Sequence, residues 1–337
     1  MEIKKICVIH LNQIGDLVFS LPLLKALREA YPDALIHSVV KPYLKGLLID
    51  SPFVDEIFTR EDDLAAKLVL GRKIRSHEYD LVISLARSEE SMLITAFSRA
   101  GIKAGFVHFP WDICLDVKET VAGHNCWINN ARLLHKLGVK TGKNDYVGLL
   151  VVNDADGMPV LPEKYVVISA GASRRRLIKA WDEEKFAELI VSLHEEYALV
   201  PVLVGASDTV ECNTLIRQYV KARSSKNSVE VLDLTGSLGL RQLYLLLEQA
   251  SLFVGIDSGV MHLASAADIP VVALFGPTDP DYVGPQNKES AVVSVNRDCV
   301  PCYMNRTCAD IDCMRDLGVD AVMDACRTLM DGYKTRL

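Results

Sequence analysis

The residues with the clearest chemical potential lie between two apolar segments in the last third of the chain. Leu252 to Ile256 is typical of a buried strand, and apolar residues three and four apart from Val260 to Ala267 predict a helix. Asp257, Ser258 and Gly259 join them; Ser258 is a suitable N-cap, and Gly259 lets a ligand approach the backbone closely. Free N–H groups at a helix N-terminus favour anions such as phosphate. An ordinary strand–helix crossover with a serine cap explains the same spacing equally well.

Polar residues also follow other predicted strands, and each has a simpler explanation. Asp16 follows the strand KICVIH and by position alone is an acidic N-cap. Asp208 follows another strand; its carboxylate could accept two hydrogen bonds from a ribose diol or could cap the next helix. Lys179 lies in a loop that also contains three arginines, which is typical of a solvated basic loop. His262 lies one turn into the helix after Ser258, where a lone histidine is usually structural.

Four cysteines near the C-terminus have the spacing Cys299-x2-Cys302-x5-Cys308-x4-Cys313. Two pairs of thiolates can form a tetrahedral zinc or iron–sulfur site. The central spacer, however, is much shorter than in common zinc modules. Free thiols or a loop able to form a disulfide are therefore favoured, and we predict no bound metal.

Composition limits the class of protein. A chain of 337 residues suggests two domains, and a net charge of −7 argues against a nucleic-acid partner. No apolar run approaches the roughly 20 residues needed to span a bilayer, and the first ten residues are too short and polar for a secretory signal. We therefore expect a cytoplasmic protein with reduced cysteines. The basic and apolar stretches Lys41–Lys45 and Leu68–Arg75 could contact a membrane surface, although solvated helix faces look the same.

Short apolar strands alternate with helices along nearly the whole chain, which indicates parallel sheets covered on both faces. Turn and linker residues interrupt the pattern between Val139 and Glu163. We place the domains at residues 1–155 and 156–318, followed by a C-terminal helix at 319–337. Ligands of such folds bind at the carboxyl ends of the strands.

The motif Asp257-Ser258-Gly259-x-x-His262-Leu263-x-x-Ala266, followed by Pro270 and Phe275-Gly276-Pro277-Thr278, resembles the signature of glycosyltransferase family 9, the bacterial heptosyltransferases. The resemblance implies a GT-B fold, an α/β architecture of two doubly wound Rossmann-like domains facing across a cleft. It also implies transfer of a heptose from ADP-heptose to the inner core of lipopolysaccharide. In the family the final helix crosses back to the first domain.

The resemblance also assigns roles to individual residues. Gly15-Asp16, before a helix containing Pro22, matches a pair whose Asp is held to be the general base. The remaining positions are implied to bind the donor: Gly171, Ser173, Lys179, Trp181, Asp257, Ser258, Gly259 and His262, with Asp208 as a candidate for the ribose. The arginines 174–176 lengthen the loop, so Ser173 aligns less securely than Lys179.

We therefore expect an inverting glycosyltransferase that needs no metal or other cofactor and uses a nucleotide-sugar donor, ADP-heptose being favoured. Its acceptor is a lipid-linked saccharide, which implies peripheral contact with the inner membrane. We find no metal-holding Asp-x-Asp in a plausible loop context, and Asp310-x-Asp312 lies inside the cysteine cluster. A sugar-nucleotide epimerase and a non-catalytic nucleotide-sugar-binding protein remain alternatives. A dinucleotide oxidoreductase is disfavoured, because no strand is followed by Gly-x-Gly-x-x-Gly.

Overall fold

The computed structural model describes residues 2–123, 126–142, 145–171, 178–224, 229–303, 308 and 311–334. The chain divides into two compact units, Met1–Asn153 and Asp154–Leu337. The break falls inside the turn-rich linker between Val139 and Glu163, close to the boundary placed from sequence. Each unit is built on its own sheet.

The first unit contains six parallel strands in the order β3-β2-β1-β4-β5-β6. The central strand pairs with two neighbours, Val8 lying beside Ser38 on one side and Ile83 on the other. Both faces of β1 are covered, which explains its continuous apolar sequence. The elements of this unit are β1 (Lys5–Ile9), α1 (Ile14–Val18), α2 (Leu21–Ala30), β2 (Leu35–Val40), β3 (Glu56–Thr59), α3 (Leu64–Ser76), β4 (Leu81–Ser84), α4 (Glu89–Phe97), β5 (Ile102–Phe106), β6 (Val117–Glu119) and α5 (Cys126–Lys136), with 3-10 segments at Pro42–Leu47 and Trp111–Cys114.

The second unit repeats this strand order, since its parallel sheet runs β12-β11-β10-β7-β8-β9. In both sheets the order reverses between the first and fourth strands of the unit, so the loops after β1 and β4, and those after β7 and β10, diverge at a crevice where ligands bind. The elements are β7 (Tyr165–Ser169), α6 (Glu183–Tyr197), β8 (Val200–Leu203), α7 (Val210–Arg223), β9 (Leu232–Asp233), α8 (Leu240–Glu248), β10 (Leu252–Ile256), α9 (Gly259–Ala266), β11 (Val271–Phe275), α10 (Pro280–Val283), β12 (Ser290–Ser294), α11 (Asp312–Arg315) and α12 (Val319–Lys334), with a 3-10 segment at Ser207–Thr209.

One expected element differs in the first unit. The expected helix containing Pro22 starts only at Leu21, because α1, which contains Gly15 and Asp16, ends at Val18 and α2 begins at Leu21 with Pro22 in its first turn. A proline inside one continuous helix would lack a hydrogen-bond donor and clash with the preceding turn.

The final helix packs into the core of the second unit. α12 contacts α6, β11 and β12. Its apolar face, including Val322, Cys326 and Met330, belongs to the core that also contains Trp181 and Phe186. These contacts place the helix in the second unit. In the described part of the chain, no helix combines the length and apolarity required to cross a bilayer.

Candidate functional site

The strongest polar cluster of the second unit lies where its strand order reverses. Asp257 directly follows β10, and Lys179 lies in the segment after the neighbouring strand β7. The Lys179 ammonium forms an ion pair with Oδ2 of Asp257, and the hydroxyl of Thr278 donates to the same oxygen at 2.6 Å. All three side chains are buried. A buried carboxylate thus holds the Lys179 charge in one position beside the start of α9.

α9 begins as the sequence predicts. Ser258 is its N-cap, and the hydroxyl of Ser258 accepts from the backbone N–H of Met261 at 3.5 Å. Gly259 is the first helical residue, so its backbone N–H lies at the positive end of the helix dipole. Among the described residues, the N-terminus of α9 and Lys179 are sources of positive potential here.

His262 is buried one turn into α9, near the ion pair. Burial, and then the charge of Lys179, lower its pKa to about 4, although the charge of Asp257 acts in the opposite direction. The imidazole is therefore neutral at pH 7 and has one N–H group to donate. A neutral donor adds polarity to an anion site without adding charge.

Gly171 and Gly205, which follow β7 and β8, both allow the Thr209 side chain to pack closely against the backbone. A Cβ on Gly171 would lie 2.3 Å from Cγ2 of Thr209, and one on Gly205 would lie 2.2 Å from Oγ1 of the same residue. Thr209 is buried, and Asp208 beside it is exposed on the 3-10 segment rather than acting as the N-cap of α7. Gly171 is thus required for a close approach, and the Asp208 carboxylate is accessible to a ligand. Ser173 lies outside the described residues.

Trp181 supports the segment that carries Lys179. Its indole N–H donates to the carbonyl of Leu317 at 3.0 Å, and its ring packs edge-to-face on Phe186 with centroids 4.7 Å apart. The ring is buried in the core. The Trp181 ring is therefore part of the core of the second unit, two residues after Lys179.

In the first unit, Asp16 lies in α1, just after the carboxyl end of β1. Gln13 is the N-cap of that helix, so the interpretation of Asp16 as an N-cap is wrong. The Cys126 thiol donates to Oδ1 of Asp16 at 3.6 Å. Burial, and then the Asp16 charge, raise the pKa of Cys126 to about 12, so the thiol stays protonated at neutral pH. Asp16 is half-buried, with one carboxylate oxygen bound by this weak donor.

A buried histidine, His10, joins the two segments that flank α1. The Ser20 hydroxyl donates to the Leu17 carbonyl at 2.6 Å, so its oxygen must accept from Nδ1 of His10 at 2.8 Å. Nε2 of His10 is then the acceptor from Ser38 at 3.1 Å. Burial, and then the Arg60 charge, lower the pKa of His10 to about 3, so the ring remains neutral and keeps this tautomer.

Comparison with known proteins connects this geometry to a family. The model of glycosyltransferase family 9 (heptosyltransferase) matches residues 68–310, which is more than half of the chain. The chain belongs to glycosyltransferase family 9. It is therefore a glycosyltransferase, and the matched region contains the whole Lys179–Asp257–Thr278 cluster.

Individual members of family 9 resemble the chain over most of their length. Lipopolysaccharide heptosyltransferase 2 of Salmonella typhimurium is 27% identical over 321 residues, covering 86% of this chain and 87% of the relative. Lipopolysaccharide heptosyltransferase 3 of Escherichia coli is 25% identical over 285 residues, covering 79% and 80%. The solved structure of E. coli ADP-heptose lps heptosyltransferase II matches with a TM-score of 0.80 at 22% identity, covering 98% of this chain and 99% of that one. The structural match confirms the GT-B fold.

The structure adds three polar residues that the sequence did not single out for a role. Arg60 and Arg87 lie near strand ends of the first unit, and Thr278 lies near a strand end of the second. Arg60, directly after β3, is buried; its Nη2 donates to Oδ1 of Asn12 and to the His10 carbonyl, the latter at 3.4 Å. Arg87 follows β4 and is close enough for its charge to lower the pKa of Cys126 slightly against the larger opposing effects. Thr278 belongs to the Gly-Pro-Thr motif but was given no role. The sequence signal for all three is a charged or hydroxyl residue within three positions of the end of a strand.

The cysteine cluster is a separate feature of the second unit. Cys299, Cys302, Cys308 and Cys313 are free thiols. Burial, and then the neighbouring Cys302, Cys308 and Cys299, raise the pKa of Cys313, so the four lie near one another. Among the described residues, the group with metal-ligand spacing is His37, Glu56 and His77, in the first unit, and no cysteine belongs to it.

Proposed function

We propose that this enzyme transfers a heptose from ADP-heptose to a saccharide of the lipopolysaccharide inner core, with inversion at the anomeric carbon and Asp16 as general base. The observation that carries the donor side is the buried Lys179–Asp257–Thr278 cluster beside the N-terminus of α9. The names of the similar heptosyltransferases support the heptose and the lipopolysaccharide acceptor. The matched E. coli structure is that of an ADP-heptose heptosyltransferase, which supports ADP-heptose as the donor.

The donor diphosphate is proposed to bind at the start of α9. The Lys179 ammonium, whose charge Asp257 partly offsets, and the N–H groups at the start of α9 supply positive potential, and the neutral His262 supplies a hydrogen bond. Together they stabilise the negative charge that grows on the diphosphate as the sugar leaves. Asp257 and Thr278 position the ammonium of Lys179, and Asp208 is proposed to accept hydrogen bonds from the ribose.

The sugar transfer itself is a single displacement. The acceptor hydroxyl oxygen attacks the anomeric carbon while the bond from that carbon to the diphosphate oxygen breaks, and the electron pair leaves with ADP. The proton of the hydroxyl passes to the Asp16 carboxylate, because a neutral hydroxyl is a poor nucleophile. Attack from the face opposite the leaving group inverts the configuration. The Cys126 thiol orients the carboxylate through its bond to Oδ1.

A lipid-linked acceptor requires the enzyme to meet a membrane, and α3 and α4 offer a suitable surface. A groove of about 480 Å³ between them is walled by apolar side chains, among them Leu68, which is 55% exposed, and Phe97, which is 60% exposed. Lys67, Arg72 and Arg75 also line it, together with Glu89 and Glu90, and Lys67 pairs with Glu90 at 3.6 Å. Exposed apolar side chains beside basic ones such as Arg72 and Arg75 are typical of binding to anionic phospholipid. We propose that this groove docks on the anionic surface of the inner membrane.

A donor panel tests the proposal most directly. ADP-, UDP-, GDP- and CDP-linked sugars are compared by thermal shift at equal concentration, where the correct donor at a hundredfold over its Kd adds about 2.7 kcal/mol to the unfolding free energy. Equal shifts with all four bases would remove the ADP assignment. The product of ADP-heptose and a core acceptor, characterised by NMR, then gives the anomeric configuration. An epimerase would instead isomerise the sugar nucleotide in the absence of any acceptor.

A further inference from the structure

Three potential metal ligands meet at the amino-terminal edge of the first sheet. His37 in β2 lies directly beside Glu56, the first residue of β3, in the parallel register. His77 immediately follows α3 and precedes β4. Asp16 follows the carboxyl end of β1. Because all strands of this sheet are parallel, the three residues lie at the end of the sheet away from the candidate base.

The distances between the ligand atoms of these three residues suit one shared metal ion better than direct hydrogen bonds. Nε2 of His37 is 3.9 Å from Oε2 of Glu56, which is too far for a hydrogen bond. One ligand atom of each of the three residues lies within 4.8 Å of the other two. Zinc bonds of roughly 2.0–2.2 Å in a tetrahedral site place ligand atoms about 3.4 Å apart, so a contraction of at most about 1.4 Å between ligand atoms would complete the site.

The surroundings of His37 prepare its Nε2 for a metal. Nδ1 of His37 is 2.7 Å from the hydroxyl of Tyr79, and Tyr79 in turn hydrogen-bonds Cys7. If Tyr79 donates to Cys7, Nδ1 of His37 carries the proton and Nε2 keeps its lone pair. A second hydrogen bond of this kind on the far ring nitrogen is characteristic of metal-binding histidines.

The neighbouring rings and charges hold the other two ligands. The His77 ring stacks on Tyr79 with centroids 5.4 Å apart and meets the His37 ring edge-to-face at 5.1 Å. The Lys73 ammonium donates a hydrogen bond to Oε1 of Glu56 at 3.0 Å. The other carboxylate oxygen, Oε2, faces His37 and can act as a single ligand atom. Lys73 opposes a bound cation electrostatically, whereas Glu56 and Asp55 favour one.

We propose that His37, Glu56 and His77 bind one divalent transition-metal ion, Zn²⁺ by preference, with water as a fourth ligand. Two imidazoles and one carboxylate are ligands that suit zinc. The ion would tie β2, β3 and the α3–β4 junction together and take no part in sugar transfer. The proposal is thus independent of the proposed function.

Metal-free full-length protein, prepared with a chelator, is titrated with Zn²⁺ alone by calorimetry and thermal shift. We expect a tight site with one ion per chain and a rise in Tm. His37→Gln and His77→Gln should each weaken Zn²⁺ binding by more than the roughly 10- to 100-fold that loss of a hydrogen-bond partner of a ligand costs. Glu56→Gln is a second variant for the case in which a histidine variant fails to fold, because the Glu56 side chain is 44% exposed. His135→Gln, at an exposed helical position, is the matched control and should bind as the wild type.

The cysteine cluster is the competing zinc site, and two measurements distinguish zinc bound there from zinc bound at His37, Glu56 and His77. Co²⁺ bound at His37, Glu56 and His77 should show weak d–d bands without the intense thiolate-to-cobalt band, and Cys302→Ser should leave binding unchanged. A thiolate band, binding that survives Glu56→Gln and both histidine variants, or no binding of Zn²⁺ at micromolar concentration would overturn the proposal. Sugar transfer by Glu56→Gln should equal that of the wild type in either case.

Discussion

Lys179 and Asp257 form a buried ion pair, although 78 residues separate them in the chain. Parallel pairing of β7 with β10 brings them together, because each residue lies beyond the carboxyl end of one of these adjacent strands. The pair has two consequences. The ammonium is held in one position beside the start of α9, and the carboxylate depends on that ammonium for charge compensation.

Replacement of Lys179 should therefore affect both affinity and stability. In Lys179→Met the donor loses a charge-assisted bond of about 1.5–3 kcal/mol, so the Kd values for ADP and ADP-heptose should rise roughly ten- to a hundredfold. The variant should also unfold more easily, by about 3–5 kcal/mol, because Asp257 is left buried without a counter-charge. Calorimetry and urea unfolding measure the two effects.

The double variant Lys179→Met/Asp257→Asn separates affinity from stability. It should recover much of the lost stability, since the uncompensated charge is removed, but none of the donor affinity. If donor affinity returned together with stability, Lys179 would have a purely structural role and the diphosphate would bind elsewhere.

Asp16→Asn tests the general base. Asn keeps the size of Asp but cannot take a proton, so kcat should fall by ~10²–10⁴ while the Kd for the donor stays the same. Cys126→Ser is the matched control, because it changes the partner of Oδ1 and leaves the carboxylate in place; its kcat should change far less. Near-normal turnover of Asp16→Asn at saturating donor and acceptor would exclude Asp16 as the base.

His262 should make stability depend on pH. Its pKa is lowered by burial to about 4, so the unfolded chain binds the proton more tightly than the folded protein does. The stabilisation is complete above the unfolded pKa of about 6.5 and is lost as the pH falls from there toward 4. Between pH 7 and pH 5 this residue should cost about 2 kcal/mol of unfolding free energy.

Urea unfolding of the wild type and His262→Gln at both pH values measures that cost. The variant is less stable at pH 7 but should lose less stability on acidification. His10 remains in both proteins, and its pKa is also lowered by burial, to about 3, so its contribution cancels in the comparison. Parallel losses in the two proteins would show that His262 does not titrate in this way.

The groove between α3 and α4 should direct binding to anionic membranes. Leu68→Ser/Phe97→Ser and Arg72→Glu/Arg75→Glu should each reduce cosedimentation with vesicles containing phosphatidylglycerol by severalfold, and added salt should weaken wild-type binding. Val160→Ser removes an apolar side chain that is 95% exposed in the linker and serves as the control. Binding that is equal on zwitterionic vesicles, or unchanged in both double variants, would contradict the assignment.

Local features of the sequence determined the elements and much of the candidate site. Alternating apolar strands and helices predict two α/β series, and both sheets are parallel as expected. Ser258 was correctly predicted as an N-cap, because capping depends only on the residues within one turn. The Asp-Ser-Gly and Gly-Pro-Thr motifs identified the family for the same reason, since they are contiguous in the chain.

Tertiary structure alone decided which of these residues meet. The tertiary fold pairs Lys179 with Asp257, brings the Cys126 thiol to Asp16, and sets His37 beside Glu56. No local spacing in the sequence encodes those contacts. Because α1 starts at Ile14 with Gln13 as its N-cap, Asp16 lies inside the helix, and the Trp181 ring packs against Phe186 in the core. Periodicity reports whether a side chain faces the core, whereas the partner it finds there depends on which strands are neighbours.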